Sequence, residues 1–293
     1  MKYAAIAQQG YPVRRLCRLL EVSVSGYYAW RGRPESARSR ANREMVEVMR
    51  QIHSEVKQTY GSPRMHEELV ARGYGCSRKR VAVVMRRNGI VAKMTLRFRR
   101  AAKAGRREVV APNRLNRQFA VAAPNRVWAA DITYIATPAG FVYLAVVLDL
   151  FSRRVVGWAM QRRLSAQLVA QALEQAYQRR RPGPGLLHHS DQDGLYSSLV
   201  YQHLLKECDM TPSMSRTGIC WDNACVESFF ASLKNELVAF ERFTTQDEAE
   251  TTIFEWIEVF YNRVRRHSTL GYHSPVDFER LTHQLKPSVH ENG

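Results

Sequence analysis

The stretch "RVWAADITYIATPAGFVYLAVVLDLFSRRVVGWAM", residues 126–160, decides the fold. Its first part alternates, which puts Trp128, Ala130, Ile132 and Tyr134 on one face of a strand. "FVYLAVVLD", residues 141–149, is apolar without a break, as a central strand covered on both faces has to be. "RVVGWAM", residues 154–160, reads as a third short strand. Short turns join the three, so the pattern predicts an antiparallel meander. Asp131 is the odd residue, a carboxylate in the middle of an apolar strand. Burying it alone costs several kcal/mol, so it requires an ion pair, a hydrogen-bond network or a metal.

Downstream, "SAQLVAQALEQAYQRR" is a helix with Ser165 as its cap and Leu168, Ala172 and Leu173 inward. "PGPG" breaks the chain, and "GLLHHSD" is a fourth strand. A helical crossover leads to it, so it runs parallel to a neighbour. Asp191 closes that strand, where open α/β sheets place their ligands. An Asp in a plain turn is an equally ordinary reading. "CWDNACVESFFASLKNEL" reads as a helix from about residue 223. Val226, Phe229, Phe230, Leu233 and Leu237 fall within about 100° of arc. Glu227 lies beside that stripe, with Lys234 two turns on along the same flank. Asn223 falls on that side too, and Glu236 projects beyond the other edge. An exposed ion pair is the plain alternative for Glu227 and Lys234. Three antiparallel strands, a helix, a strand and further helices make a mixed α/β domain.

Upstream the chain changes character. Residues 1–120 carry 27 Lys and Arg against 8 Asp and Glu, a net of +19. Residues 121–293 carry 17 against 19, a net of −2. This asymmetry points to a nucleic-acid-binding front and a differently employed back. "YPVRRLCRLLEVSVSGYYAWRG", residues 11–32, has the outline of a helix-turn-helix. Met45, Val48, Met49, Ile52 and Val56 mark an amphipathic helix, and "SPRMHEELVARG" a further one between Pro63 and Gly73. In "CSRKRVAVVMRRNGI" Ser77 caps a helix, Val81, Val84 and Met85 face inward, and Gly89 ends it. Its cations are Arg78, Lys79, Arg80, Arg86 and Arg87. Basic residues in a first turn oppose the helix dipole and suit phosphates better than a bare solvated face. Residues 93–117 hold nine Lys and Arg against one acid with no hydrophobic period. They read as a loose arm along a DNA backbone, or as a solubilising linker.

Composition narrows the class further. The apolar fraction of 45% is that of a globular protein, and no run of 18 apolar residues suggests a membrane span. The N-terminus lacks a long apolar h-region, so a cytoplasmic protein is expected. Cys17, Cys76, Cys208, Cys220 and Cys225 are scattered and odd in number, which predicts reduced thiols. A zinc site from His188, His189, Cys220 and Cys225 matches no common spacing.

Asp131, Asp191 and Glu227 gain weight as a set, with 35 residues between the last two. Three carboxylates can hold two Mg2+ ions, which favour oxygen ligands. Two such ions about 4 Å apart serve phosphoryl transfer, one activating the attacking oxygen and one steadying the leaving one.

"VWAADITYI", "HHSDQDGLYSS", "WDNACVESFFASLKNEL" and "YNRVRRHSTLGYHSP" together resemble the signatures of an OrfB-type DDE transposase of insertion-sequence family three. Such proteins are similar to retroviral integrases. "YGSPRMHEELVARGYGCSRKRVAVVMRRNGIVA" resembles the family's helix-turn-helix module. The resemblance runs from about residue 13 to residue 281, and the 35-residue gap and the Lys seven after the Glu are the family's own. It implies a ribonuclease-H-like mixed sheet, an antiparallel meander plus parallel strands flanked by helices and preceded by an all-α region. The expected organisation is a helix-turn-helix region at 1–92, a basic linker at 93–122, a catalytic core at 123–240 and a C-terminal helical extension at 241–293. Asp131, Asp191 and Glu227 are implied as the catalytic and metal-holding triad, with two Mg2+ ions that Mn2+ can replace. Lys234 is implied as a DNA contact near the cleavage site, beside Arg78, Lys79, Arg80, Arg86 and Arg87. Asn223, Tyr261, Asn262, Arg263, Arg266 and His267 match motif positions without an assigned role. The implied partners are double-stranded DNA, both element ends and target, further copies of the chain, and an upstream-encoded DNA-binding protein. The implied setting is the bacterial cytoplasm, at the nucleoid when DNA-bound. One departure stands out: Asp193 replaces the family's Gly and Leu195 its Gln. Gly would relieve a tight turn, so strain is expected at Asp193. A catalytically inactive DNA-binding regulator is the alternative that this departure supports.

Overall fold

The computed structural model describes residues 2–93, 111–216 and 220–284. The front of the chain is helical. α1 (Lys2–Ala7), α2 (Val13–Leu19) and α3 (Val24–Arg31) pack on one another, followed by α4 (Ala37–Glu55), α5 (Ser62–Ala71) and α6 (Arg78–Arg87). Serine caps start several of them: Ser36 accepts from Ser39 N, and Ser77 from Arg80 N. Gly73 and Gly89 follow α5 and α6 with φ of 85° and 65°, the left-handed conformation that stops a helix. Met49, Ile52, Met65, Leu69, Val81 and Val84 bury between α4, α5 and α6, and their core runs on into that of the sheet.

The sheet is mixed, in the order β3-β2-β1-β4-β5. β1 (Val127–Thr137), β2 (Gly140–Asp149) and β3 (Val155–Gln161) form the expected antiparallel meander, with Asp131 opposite Val146. α7 (Ala166–Arg180), capped by Ser165, returns the chain to β4 (Leu187–Ser190), which pairs parallel with β1. α8 (Leu199–Glu207) then leads to β5 (Thr211–Met214), parallel beside β4. α7 covers one face against Trp128, Ala130, Ala145 and Val147. At Gly157 on β3 an added Cβ would lie 2.2 Å from the Ala172 carbonyl oxygen, so α7 sits directly on the strand. α9 (Ala224–Leu233) and α10 (Gln246–Glu255) cover the other face, where Ala129, Ile135, Leu144 and Val146 meet Val226, Phe229 and Trp256. Three antiparallel strands followed by two parallel ones between helices make a ribonuclease-H-like sheet, the fold class read from the sequence.

α9 and α10 each run on into a π-helical turn, Lys234–Val238 and Trp256–Tyr261, and α11 (Pro275–Gln284) follows. The motif positions left without a role brace this part. Asn262 accepts from Val155 N and donates to Val155 O, both at 3.0 Å. Tyr261 donates to the Arg153 carbonyl, and Arg266 donates to Glu68 on α5.

Two expectations change. β5 was not read from the sequence: it is four residues long and contains Pro212, which is tolerated at an edge and erases the strand signal. The loose arm is only partly testable, since residues 94–110 lie outside the described residues. Residues 113–117 are not loose. Ser213 accepts from Arg114 N and Leu115 N, Leu115 is buried, and Asp222 accepts from Asn113 and Arg117. Among the described residues no helix is long and apolar enough to cross a membrane.

Candidate active site

Asp131 lies on the face of β1 that turns to α9, in step with Ala129 and Ile135 of that core. It is buried, and its Oδ1 accepts the Ile132 N–H at 2.8 Å. β4 pairs with β1 as Ala129 with His189. Two residues further along this parallel register, Asp191 comes level with Asp131. Asp191 has just left the strand, and its Oδ1 accepts from Asp193 N at 3.1 Å. The buried Tyr196 phenol stands within electrostatic reach of both acids. Burial raises its pKa well above the ordinary range, and Tyr201, Asp131, Asp191 and Asp193 add to the rise.

The third acid is positioned by a helix start. Asn223 Nδ2 donates to the Ala130 carbonyl at 3.0 Å, which ties the beginning of α9 to the strand beside Asp131. Val226, Phe229, Phe230 and Leu233 are buried as the stripe predicts, and Glu227 sits in the first turn of α9. At the far end, Lys234 Nζ lies 5.2 Å from the centre of the Tyr134 ring. The fold therefore sets Asp131 level with Asp191 on the β1–β4 pair and starts the helix of Glu227 against β1 at Ala130. Among the described residues, no three His, Cys, Asp or Glu side chains close into a metal-holding group. The donor chemistry nonetheless suits a hard divalent cation: three carboxylates, plus Asn223 Oδ1, buried and without a hydrogen-bond partner among the described residues.

The His pair is interior scaffolding. His189 bonds Ser213 at 2.9 Å and Ser215 at 3.1 Å, and His188 bonds the Tyr201 hydroxyl at 3.0 Å. Burial lowers His188 to about 3 and His189 to about 4, so both rings are neutral near pH 7. These partners leave no zinc arrangement at His188 and His189. The strain expected at Asp193 is absent: its φ is not positive, and its Oδ1 accepts from Leu195 N at 3.0 Å. The loop closes as an Asx turn, which Asp forms readily.

Sequence reasoning missed Asp222. It is fully buried and accepts from Arg216 N, Nε and Nη2, from Arg117 Nε and from Asn113 Nδ2. The Arg216 guanidinium, and then Arg117, hold its carboxyl well below the usual range. It fastens residues 113–117 to the approach of α9. Its only sequence signal was an acid one position before Asn223 inside a motif already quoted.

The five cations of α6 do not act as one patch. Arg78 bonds Glu67 at 2.8 Å and lies over the Tyr272 ring, so it faces the protein. Arg80 donates to Asn42 at 2.9 Å. Lys79, Arg80 and Arg87 line a cleft between α4 and α6 that also takes in Arg38, and Arg86 is exposed.

Known families match two parts of the chain. Residues 121–220 and 208–275 match models of the integrase core domain, and residues 39–98 match a model of an HTH-like domain. The transposase InsF for insertion sequence IS3A of Escherichia coli (strain K12) is 42% identical over 283 residues, 95% of this chain and 98% of that protein. The insertion element IS600 uncharacterized 31 kDa protein of Shigella sonnei is 39% identical over 270 residues, 92% and 99% of the two chains. Among solved structures, the HTLV-2 integrase catalytic core domain in complex with magnesium covers 54% of this chain and 97% of its own, at 16% identity and a TM-score of 0.41. The chain belongs to the IS3 family of insertion-sequence transposases, enzymes with an integrase-type catalytic domain behind an HTH-like domain.

Proposed function

We propose that this transposase cleaves DNA at the ends of its own insertion sequence and joins the freed 3′-hydroxyl to another phosphodiester. Asp131, Asp191 and Glu227 are the acids that would hold two Mg2+ ions, with Mn2+ able to replace them. The observation that carries the reading is the shared level of Asp131 and Asp191 on neighbouring strands, with the helix of Glu227 anchored on the Ala130 carbonyl. When bound, the ions supply activation of the attacking oxygen and stabilisation of the departing 3′-oxygen.

The chain's own residues do the positioning. Ile132 N–H fixes Asp131, Asp193 N–H fixes Asp191, and Asn223 sets the height of α9. Tyr196, buried within electrostatic reach of Asp131 and Asp191, stays a neutral phenol. Lys234 extends the DNA path beyond Glu227, and Lys79, Arg80, Arg86 and Arg87 grip the duplex. Arg78 belongs to this group by its helix, although its guanidinium serves Glu67. Joining two ends takes at least two such sites, so the working form is a multimer of this chain on DNA. An upstream-encoded DNA-binding protein is a further partner. The inactive-regulator reading rests on Asp193 and Leu195; its strain argument falls away, since Asp193 lies outside the left-handed region.

The test is a labelled duplex carrying the element's terminal repeat, incubated with the full chain and Mg2+. A nick ending in a 3′-hydroxyl, abolished by chelation, is the expected result. A chain that shifts the duplex yet never nicks it with Mg2+ or Mn2+ is the regulator instead.

A further inference from the structure

Residues 2–31 form a unit with its own core. Ile6 on α1, Cys17 on α2 and Tyr27 on α3 are buried together, apart from both cores of the sheet. Four residues, 20–23, connect α2 to α3, the turn length of a helix-turn-helix. Glu21 within that turn has φ of 52°, the left-handed conformation of a sharp reversal. Ser23 then caps α3 by accepting from Gly26 N at 3.2 Å. A Cβ at Gly26 would lie 2.4 Å from the Tyr3 hydroxyl, so the side chain of Tyr3 on α1 reaches the first turn of α3. The HTH-like match begins at residue 39 and leaves this unit out.

Its outer surface is basic, with Leu19 on α2 and Tyr28 and Trp30 on α3 exposed among the cations. Arg14, Arg15 and Arg18 are exposed on α2, and Arg31 and Arg33 at and beyond the end of α3. Across residues 2–33, Lys and Arg number six and Glu21 is the only acid. Ser25, Tyr28 and Ala29 are exposed along α3, and Tyr28 shows 55% of its surface although Tyr27 next to it is buried. In a helix-turn-helix the first helix crosses the backbone and the second enters the major groove. Here the first carries Arg14, Arg15 and Arg18 beside an exposed Leu19, and the second carries small, hydroxyl and aromatic side chains with Arg31 at its end.

We propose that α1–α3 are a second helix-turn-helix, which seats a stretch of duplex DNA separate from the one held at α6. α3 enters the groove through Ser25, Tyr28 and Ala29, and Arg14, Arg15 and Arg18 bind backbone phosphates. End recognition is then bipartite, two contacts on one terminal repeat, joined by residues 32–36. This rests on the reading that the chain acts on its element's ends.

Hydroxyl-radical footprinting of the full chain on its terminal-repeat duplex tests it, beside the variant Arg14→Gln with Arg15→Gln and Arg18→Gln, and beside Tyr28→Ala. All four positions are exposed, and thermal unfolding checks that each variant keeps its fold. The wild type protects two separate patches. The triple variant loses one and keeps the other, and its log K against log salt slope shrinks by up to about 3, at ~0.9 per phosphate contact. Tyr28→Ala weakens the same patch. A single wild-type patch, or variants with the wild-type footprint and slope, overturns the proposal while leaving the DNA-end reading intact. A wild-type chain that protects nothing overturns both.

Discussion

Asp193 stands where the sequence alone put strain, two residues after Asp191, one of the three acids proposed to hold metal. Its carboxylate instead caps Leu195 N, and its own N–H is held by Asp191. Replacing it with Gly removes one of these bonds and adds freedom to the unfolded chain. Asp193→Gly is therefore expected to destabilise by about 1 kcal/mol, read by urea unfolding, without any gain in cleavage rate. A stabilised variant would put the strain back. The local sequence could not settle this, because a turn that admits Gly with positive φ and one that admits an Asx cap look alike until the backbone is traced. Asp222 makes the complementary point. Its importance lies in Arg117 and Asn113, which are more than 100 residues away in sequence. No spacing rule joins them.

At the scale of elements, the meander, the crossover helix and β4 were legible because each has its own period and punctuation. Continuous apolarity marked β2, Ser165 and the run after it marked α7, and both are observed. β5 was hidden by its brevity and its proline. The pairing of β1 with β4, which sets Asp131 level with Asp191, is a register between distant segments. The sequence supplied the three acids and the helix of Glu227; the anchor from Asn223 to Ala130 needed the fold. A close joint between elements is at Gly157, where α7 lies on β3 with Ala172 O, Ala176 Cβ and Ala176 N all within 2.7 Å of an added Cβ. Gly157→Ala is expected to cost roughly 1–3 kcal/mol through overpacking, measured as a lower midpoint of chemical unfolding. An unchanged midpoint would mean that α7 can slide away freely.

At the scale of the whole molecule, charge and buried histidine govern behaviour in solution. His188 and His267 are buried, and burial first lowers both, His188 to about 3, with Arg265 and Arg64 pressing His267 down further. The unfolded chain takes up these protons near pH 6.5 and the folded chain does not. Stability is thus fully present above about pH 6.5 and falls as the pH drops, by up to about 1.4 kcal/mol per unit for each ring. Thermal melts from pH 7.5 to 4.5 read this directly, and a flat profile would contradict it. The excess of positive charge in residues 1–120 makes the proposed DNA binding weaken with salt, whereas the proposed cleavage is assigned to the back of the chain. That separation gives the most direct test of the central claim. Asp191→Asn and Glu227→Gln are each assayed on labelled terminal-repeat duplex with Mg2+, for binding and for cleavage in the same samples. The account predicts wild-type binding with cleavage and strand joining lost by at least about a hundredfold, as expected when a group needed at the transition state is removed. Cleavage that survives in both variants would contradict it.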